Sequence, residues 1–144
     1  MTAKEYLLQV KKLDMMISNK LQEVEHWKCI ATSTNASGDG ERVQASGSQQ
    51  KMADAVARYM DIEREINAAI DELVDRRQEI ITTIEQLPVT EYDILHKVYI
   101  QNIDFYDVAD GYNKSYSWTT SVHGRALRNL QKILDEREVG EDEI

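Results

Sequence analysis

Cysteine is nearly absent: Cys29 is the only one in 144 residues. A lone thiol excludes an internal disulfide and a cysteine zinc cluster, so the chain fits a reducing compartment and Cys29 is expected to be buried and inert. Proline occurs once, glycine six times, and aromatics make up only 7% of the chain. Without recurrent turn signals or β-branched alternation there is no basis for a sandwich or barrel, and no sheet is expected. The opening Met1-Thr2-Ala3-Lys4-Glu5 leads into no uninterrupted apolar run, so neither a signal peptide nor a membrane span is predicted and a cytoplasmic location is expected. No Gly-rich phosphate loop and no nucleophile elbow occur, and His96 and His123 stand apart from other ligand-type residues. The sequence therefore predicts no enzyme, no cofactor and no metal.

What remains is helical patterning. With 42% hydrophobic residues the chain can bury a core, and its Leu, Ile, Glu, Lys and Arg content predicts an all-α protein. Thr2 and Glu5 form a capping-box pattern at the start of a first helix, in which Val10, Leu13, Ile17, Leu21, Val24 and Trp27 make one stripe through about Ile30. The Ser- and Gly-rich run Thr32 to Ser48 predicts a mobile loop, with Arg42-Val43-Gln44 as a docking point at its tip. In a second helix Met52, Val56, Tyr59, Glu63, Ile66, Ile70, Leu73, Arg77, Ile80, Ile84 and Leu87 alternate spacings of four and three. That heptad predicts a coiled-coil seam, with Ile66, Ile70 and Leu73 in a packed interface. Glu63 and Glu65 belong to a solvated charged face. Residues 1–87 thus form a long antiparallel coiled-coil hairpin, and because a hairpin buries little, a homo-oligomer is expected.

Pro88 disfavours helix at the preceding residue and marks the boundary to a second domain, 88–134, followed by an acidic tail, 135–144. Here Glu91 to Ile100 predicts a short helix with Tyr92, Leu95, Val98 and Tyr99 inward. Asp104 caps a second helix over Phe105 to Asp110, Gly111 supplies the turn, and Ser115 caps a third. In that third helix Thr119, Val122, Ala126, Leu130 and Ile133 face inward, and Trp118 is expected in the core. From Gly111 to Leu134 there are Lys114, Arg125, Arg128 and Lys132 and no carboxylate, in a chain of net charge −9. A short helix-turn-helix whose last helix is basic predicts contact with double-stranded DNA. Overall acidity argues against indiscriminate coating of nucleic acid, and the cations are assigned to phosphates.

Leu87-Pro88, Phe105-Tyr106-Asp107-Val108-Ala109, Ser115, Val122 and Arg125-Ala126-Leu127-Arg128-Asn129-Leu130 resemble region 4 of sigma-70-type RNA polymerase sigma factors. The resemblance covers about a third of the chain. The whole chain, with its Asp39-Gly40-Glu41-Arg42-Val43-Gln44-Ala45-Ser46 and Lys51-Met52-Ala53-Asp54-Ala55-Val56 segments, is similar to small phage and prophage proteins of Gram-positive bacteria. Those with sigma-like tails are regarded as late transcription regulators akin to the ArpU and RinA types. The resemblance implies that Tyr116, Ser117, Thr120 and Ser121 face bases and that host RNA polymerase is a partner. Sigma factors usually carry Arg at the positions of Tyr116, Trp118 and Thr120, so this chain departs from the pattern where guanine would be read. Nothing in it resembles the sigma region that recognises the −10 promoter element, so a complete sigma factor is not expected. Two other readings fit the same pattern: a small terminase-like packaging component, which would form rings, and a sigma-mimicking interaction module that does not touch DNA.

Overall fold

The computed structural model describes residues 1–36 and 45–142, and among them are α-helices and one π-helical turn but no strand. Helix α1 spans Ala3–Ala36 and α2 Ala45–Ile84. The capping box at the start of α1 is closed in both directions: Thr2 Oγ1 accepts from the Glu5 amide at 3.1 Å, and the Glu5 carboxylate accepts from the Thr2 amide at 3.0 Å. Both helices run further than expected, into the Ser- and Gly-rich segment. Once a helix exists, each added residue gains a backbone hydrogen bond without a new nucleation cost, and the Thr32 hydroxyl donates to the Lys28 carbonyl. The expected loop over 32–48 is accordingly shorter at both ends. Its centre, including Arg42-Val43-Gln44, lies outside the described residues.

Two compact units divide the chain, one of Leu13–Leu73 and one of Met1–Lys12 together with Val74–Ile144. Pro88 breaks the helix, yet the unit that contains it begins at Val74 and includes the first residues of the chain.

In the Leu13–Leu73 unit, Val24, Ile62 and Ile66 are buried together, with Ile17, Trp27 and Tyr59 packed against them. Lys20 pairs with Glu65 at 3.0 Å and Lys28 with Glu63 at 3.4 Å. Rising numbers on α1 thus meet falling numbers on α2, and the helices run antiparallel. These exposed pairs fix register more than they stabilise, at about 0.2–1 kcal/mol each. The buried line on α2 is Ala55, Ile62 and Ile66, and Ile70 is 41% exposed. Of the expected seam, Ile66 is buried and Tyr59 packs against it, whereas Ala55 and Ile62 are buried in place of their neighbours Val56 and Glu63, and Ile70 faces outward. A one-residue shift is a 100° rotation, which puts Glu63 at the solvated flank where Lys28 reaches it. Cys29 is likewise exposed, not buried, because it falls off the line of Val24 and Trp27.

The second unit has its own core, in which Leu7, Ile80, Ile84, Ile94, Leu95, Val108 and Leu130 are fully buried. After α2 the chain turns at Pro88, φ −52° and ψ 147°, into α3, Val89–Leu95, which runs on as the π-helical turn His96–Ile100. The Gln101 amide donates to the His96 carbonyl, closing the wide turn, and Asn102 then adopts a left-handed φ of 58°. Helix α4, Phe105–Tyr112, is capped by Asp104, whose carboxylate accepts from the Asp107 amide at 2.9 Å. Gly111 lies inside α4. The left-handed residue of the turn is Asn113, φ 55° and ψ 41°; asparagine tolerates this region better than other residues with a Cβ, so the turn needs no glycine.

Helix α5, Tyr116–Asp142, starts at Ser115, whose Oγ accepts from the Trp118 amide at 3.0 Å. Thr119, Val122, Ala126, Leu130 and Leu134 are its buried line. The acidic stretch expected as a tail continues α5 through Asp142. Arg137 anchors it, donating to Thr83 Oγ1 at 2.7 Å. That buried hydroxyl also accepts from Tyr6 at 3.0 Å and donates to the Glu79 carbonyl at 2.8 Å, which fills its hydrogen-bonding capacity. The Ala3 amide, donating to Gln131 Oε1 at 2.7 Å, ties the start of the chain to α5.

Candidate nucleic-acid interface

The candidate surface is α4, the Asn113-Lys114-Ser115 turn and α5. Ile94, Val108 and Val122 form the core beneath it, with Val98, Ile103, Tyr112 and Trp118 packed around them. Trp118, expected in the core, is held there against the Tyr112 ring at 5.4 Å, and Lys114 Nζ lies over its indole at 5.7 Å. Tyr112 also donates a hydrogen bond to Asp93, whose two carboxylate oxygens each accept from Lys97 Nζ at 2.6 Å. Burial and the bond to Asp93 push the Tyr112 hydroxyl up to about 12, so it remains a donor. Burial raises the Asp93 carboxyl, but the bonds from Lys97 and Tyr112 prevail and hold it below the ordinary value.

Of the residues read from the sequence, Lys114, Tyr116, Ser117, Ser121, Arg125, Arg128 and Lys132 are exposed and Thr120 is half-buried. Helical spacing places Ser117, Ser121, Arg128 and Lys132 along one outward strip of α5. Thr120 Oγ1 donates to the Ser117 carbonyl at 3.0 Å. Arg125 has a different engagement. Its Nε donates to Glu91 at 2.8 Å, and Glu91, only 3% exposed, also accepts from Asn129 Nδ2 at 3.1 and 2.9 Å. The Arg125 charge is thus matched by a carboxylate beneath α5, while Lys114, Arg128 and Lys132 have no ion pair among the described residues. Glu91 and Asn129 were missed by sequence reasoning. The signal was the helical spacing of Glu91 with Ile94, Leu95 and Val98, which puts the carboxylate on the inward face.

Tyr106 was also missed. Its ring stacks on that of Tyr116 at 4.6 Å and 26°, and both are exposed, 67% and 44%. Phe105 meets Tyr116 edge-on at 6.1 Å and His123 edge-on at 4.8 Å. His123 in turn stacks on Tyr99 and shares a 2.8 Å hydrogen bond with its hydroxyl. A line of rings therefore joins the exposed tip to the core. Burial, then the nearby Lys4 charge, holds His123 below the ordinary histidine value. Burial, then Arg77, does the same to His96. Groups depressed in this way favour the fold only when neutral. Their stabilisation is complete above about pH 6.5 and is lost as pH falls through the folded-state values. Thermal melts should show a constant midpoint from pH 8 to 7 that drops below about pH 6.5. A His96→Gln, His123→Gln double variant should flatten that drop, and a parent midpoint unchanged to pH 5 would refute the assignment.

Among the described residues no cluster of His, Cys, Asp or Glu could hold a metal ion, and no helix is long and apolar enough to cross a membrane. A family model described as "Protein of unknown function (DUF1492)" matches residues 33–131. The chain belongs to this family. The match takes in α2, α3, α4 and most of α5, and so the candidate surface of this DUF1492 protein up to Gln131, with Lys132 one residue beyond it. No curated protein and no solved structure matches the chain.

Proposed function

We propose that the chain is a phage-type transcription regulator that binds double-stranded DNA through α4, the turn and α5, by binding and not by chemistry, in the cytoplasm of a bacterial host. The observation that carries this reading is the outward strip of α5, on which Ser117, Ser121, Arg128 and Lys132 are exposed and no carboxylate occurs between Tyr116 and Leu134. A helix with cations and hydroxyls along one face suits phosphate contact and groove entry. The resemblance to sigma region 4 supports it and adds host RNA polymerase as a candidate partner. Exposed Leu21, Met60 and Ile70 on the Leu13–Leu73 unit support self-association there, with a second copy covering them.

Binding of labelled duplex DNA, followed by fluorescence anisotropy across a salt series, tests the assignment. Replacing Arg128 and Lys132 together with Ala should weaken affinity for every sequence and flatten the log–log salt slope by about two units, roughly 0.9 per lost phosphate contact. An unchanged slope removes these residues from the interface.

A second reading, the sigma-mimicking module that occupies polymerase without touching DNA, is favoured by exposed Asp107 and Asp110 on α4. Absence of salt-dependent duplex binding by the parent protein selects that reading. A large closed ring in light scattering would instead favour the packaging role.

A further inference from the structure

The first two turns of α5 are unusual for a helix that enters a major groove. From Ser115 to Ser121 the chain reads Ser-Tyr-Ser-Trp-Thr-Thr-Ser, without Arg, Lys, Asn, Gln, Asp or Glu. Bidentate reading of guanine needs Arg or Lys, and of adenine Asn or Gln, so neither is available there. Ser115 Oγ is taken by the Trp118 amide, Trp118 is packed on Tyr112, Thr119 is fully buried, and the Thr120 hydroxyl donates to Ser117. The side chains left to meet a base are those of Tyr116, Ser117 and Ser121. Of these only Tyr116 offers a large apolar surface, and thymine is the one base with an apolar group, its C5 methyl, in the major groove.

We infer that Tyr116, held by Tyr106, contacts thymine methyl groups and biases the protein toward A·T-rich duplex DNA. This rests on the DNA-binding reading above and deepens it. Stacking by Tyr106 and the edge of Phe105 fixes the Tyr116 ring before contact, so little rotamer freedom is lost on binding. The anchoring continues through His123 to Tyr99. Tyr106 is thus a positioning residue, and its ring occupies one face of Tyr116, which leaves the rest of the ring for a methyl group and disfavours insertion between two stacked bases.

Replacing thymine by uracil deletes the methyl and nothing else from the base edge. With the full chain, alternating A·T duplex is compared with alternating A·U and G·C duplexes and with single-stranded oligo(dT) at one salt concentration. The parent protein should bind the A·T duplex about fourfold more tightly than A·U for one buried methyl. Tyr116→Ala should abolish that ratio and Tyr116→Phe should keep it. Tyr106→Ala should shrink it while leaving the salt slope of the parent. Equal affinity of the parent for A·T and A·U overturns the inference and leaves the DNA reading intact. Failure to bind any duplex overturns both. Tighter binding of oligo(dT) than of duplex makes the ring pair a stacking platform for single strands, which also overturns it.

Discussion

Replacing Arg125 with Ala is expected to destabilise the protein by about 2–3 kcal/mol, because the nearly buried Glu91 carboxylate then keeps only the neutral Asn129 amide. For a chain of this size that is a fall of roughly 5–10 °C in melting temperature. Changing Glu91 to Gln in the same chain removes the stranded charge and should recover part of the loss. The coupling between the two sites is read from the double-mutant cycle. The salt slope of DNA binding separates this role from the phosphate contact expected from the sequence. A purely positional Arg125 leaves the slope of the folded variant unchanged, whereas an unaltered melting temperature with a slope reduced by about one unit shows a phosphate ligand.

The second large effect belongs to the Leu13–Leu73 unit. Ile66→Asp puts a charge against Val24 and Ile62 with no partner, which should cost on the order of 4 kcal/mol and lower the helical signal in circular dichroism. Ile70→Asp, only four residues further, should leave helicity intact and lower the mass measured by light scattering, because Ile70 is exposed on a single chain. Parent-like helicity in the Ile66 variant contradicts the packing described above. Parent-like oligomer mass in the Ile70 variant removes this face from self-association.

The contrast between those isoleucines shows what periodicity conveys and where it stops. Heptad spacing on α2 identified a helix and an apolar side, but Val56, Ile62, Ile66, Ile70 and Val74 cover more than one line. Choosing among adjacent lines depends on the facing helix α1, against which small Ala55 of α2 is buried while charged Glu63 of α2 meets Lys28 of α1. Caps were legible because their interactions close within a few residues: Thr2 with Glu5, Asp104 with Asp107 and Ser115 with Trp118 each match the pattern read from sequence. Helix ends were less so. Ala36, Ala45 and Asp142 carry no composition signal strong enough to override the neighbouring Ser, Gly and acidic residues.

At the candidate surface, residue type located the basic helix and its exposed strip, since solvent-facing cations follow from helical phase alone. The functions of individual side chains depend on contacts far apart in sequence. Glu91 and Arg125 are separated by 34 residues, and Tyr106 reaches Tyr116 only because the turn at Asn113 brings α4 back on α5. The left-handed turn was assigned to the nearest glycine, but Asn113 can adopt the same conformation and Gly111 extends the helix.

The hydrogen bond from Ala3 to Gln131 spans 128 residues, and that from Tyr6 to Thr83 spans 77. Such long separations give this part of the molecule a high contact order, and loop-closure entropy must be met before its contacts can reward it. During synthesis α1 and α2 can pair while residues 116–142 are still unmade, but Leu7, Val10, Ile80 and Ile84 then belong to a unit that still lacks the buried Val122, Ala126, Leu130 and Leu134. The helix that bears the candidate surface follows α1 to α4 in the chain, so the head can complete its core only after α5 has been made. Until that moment those waiting side chains are the apolar surface a chaperone would encounter.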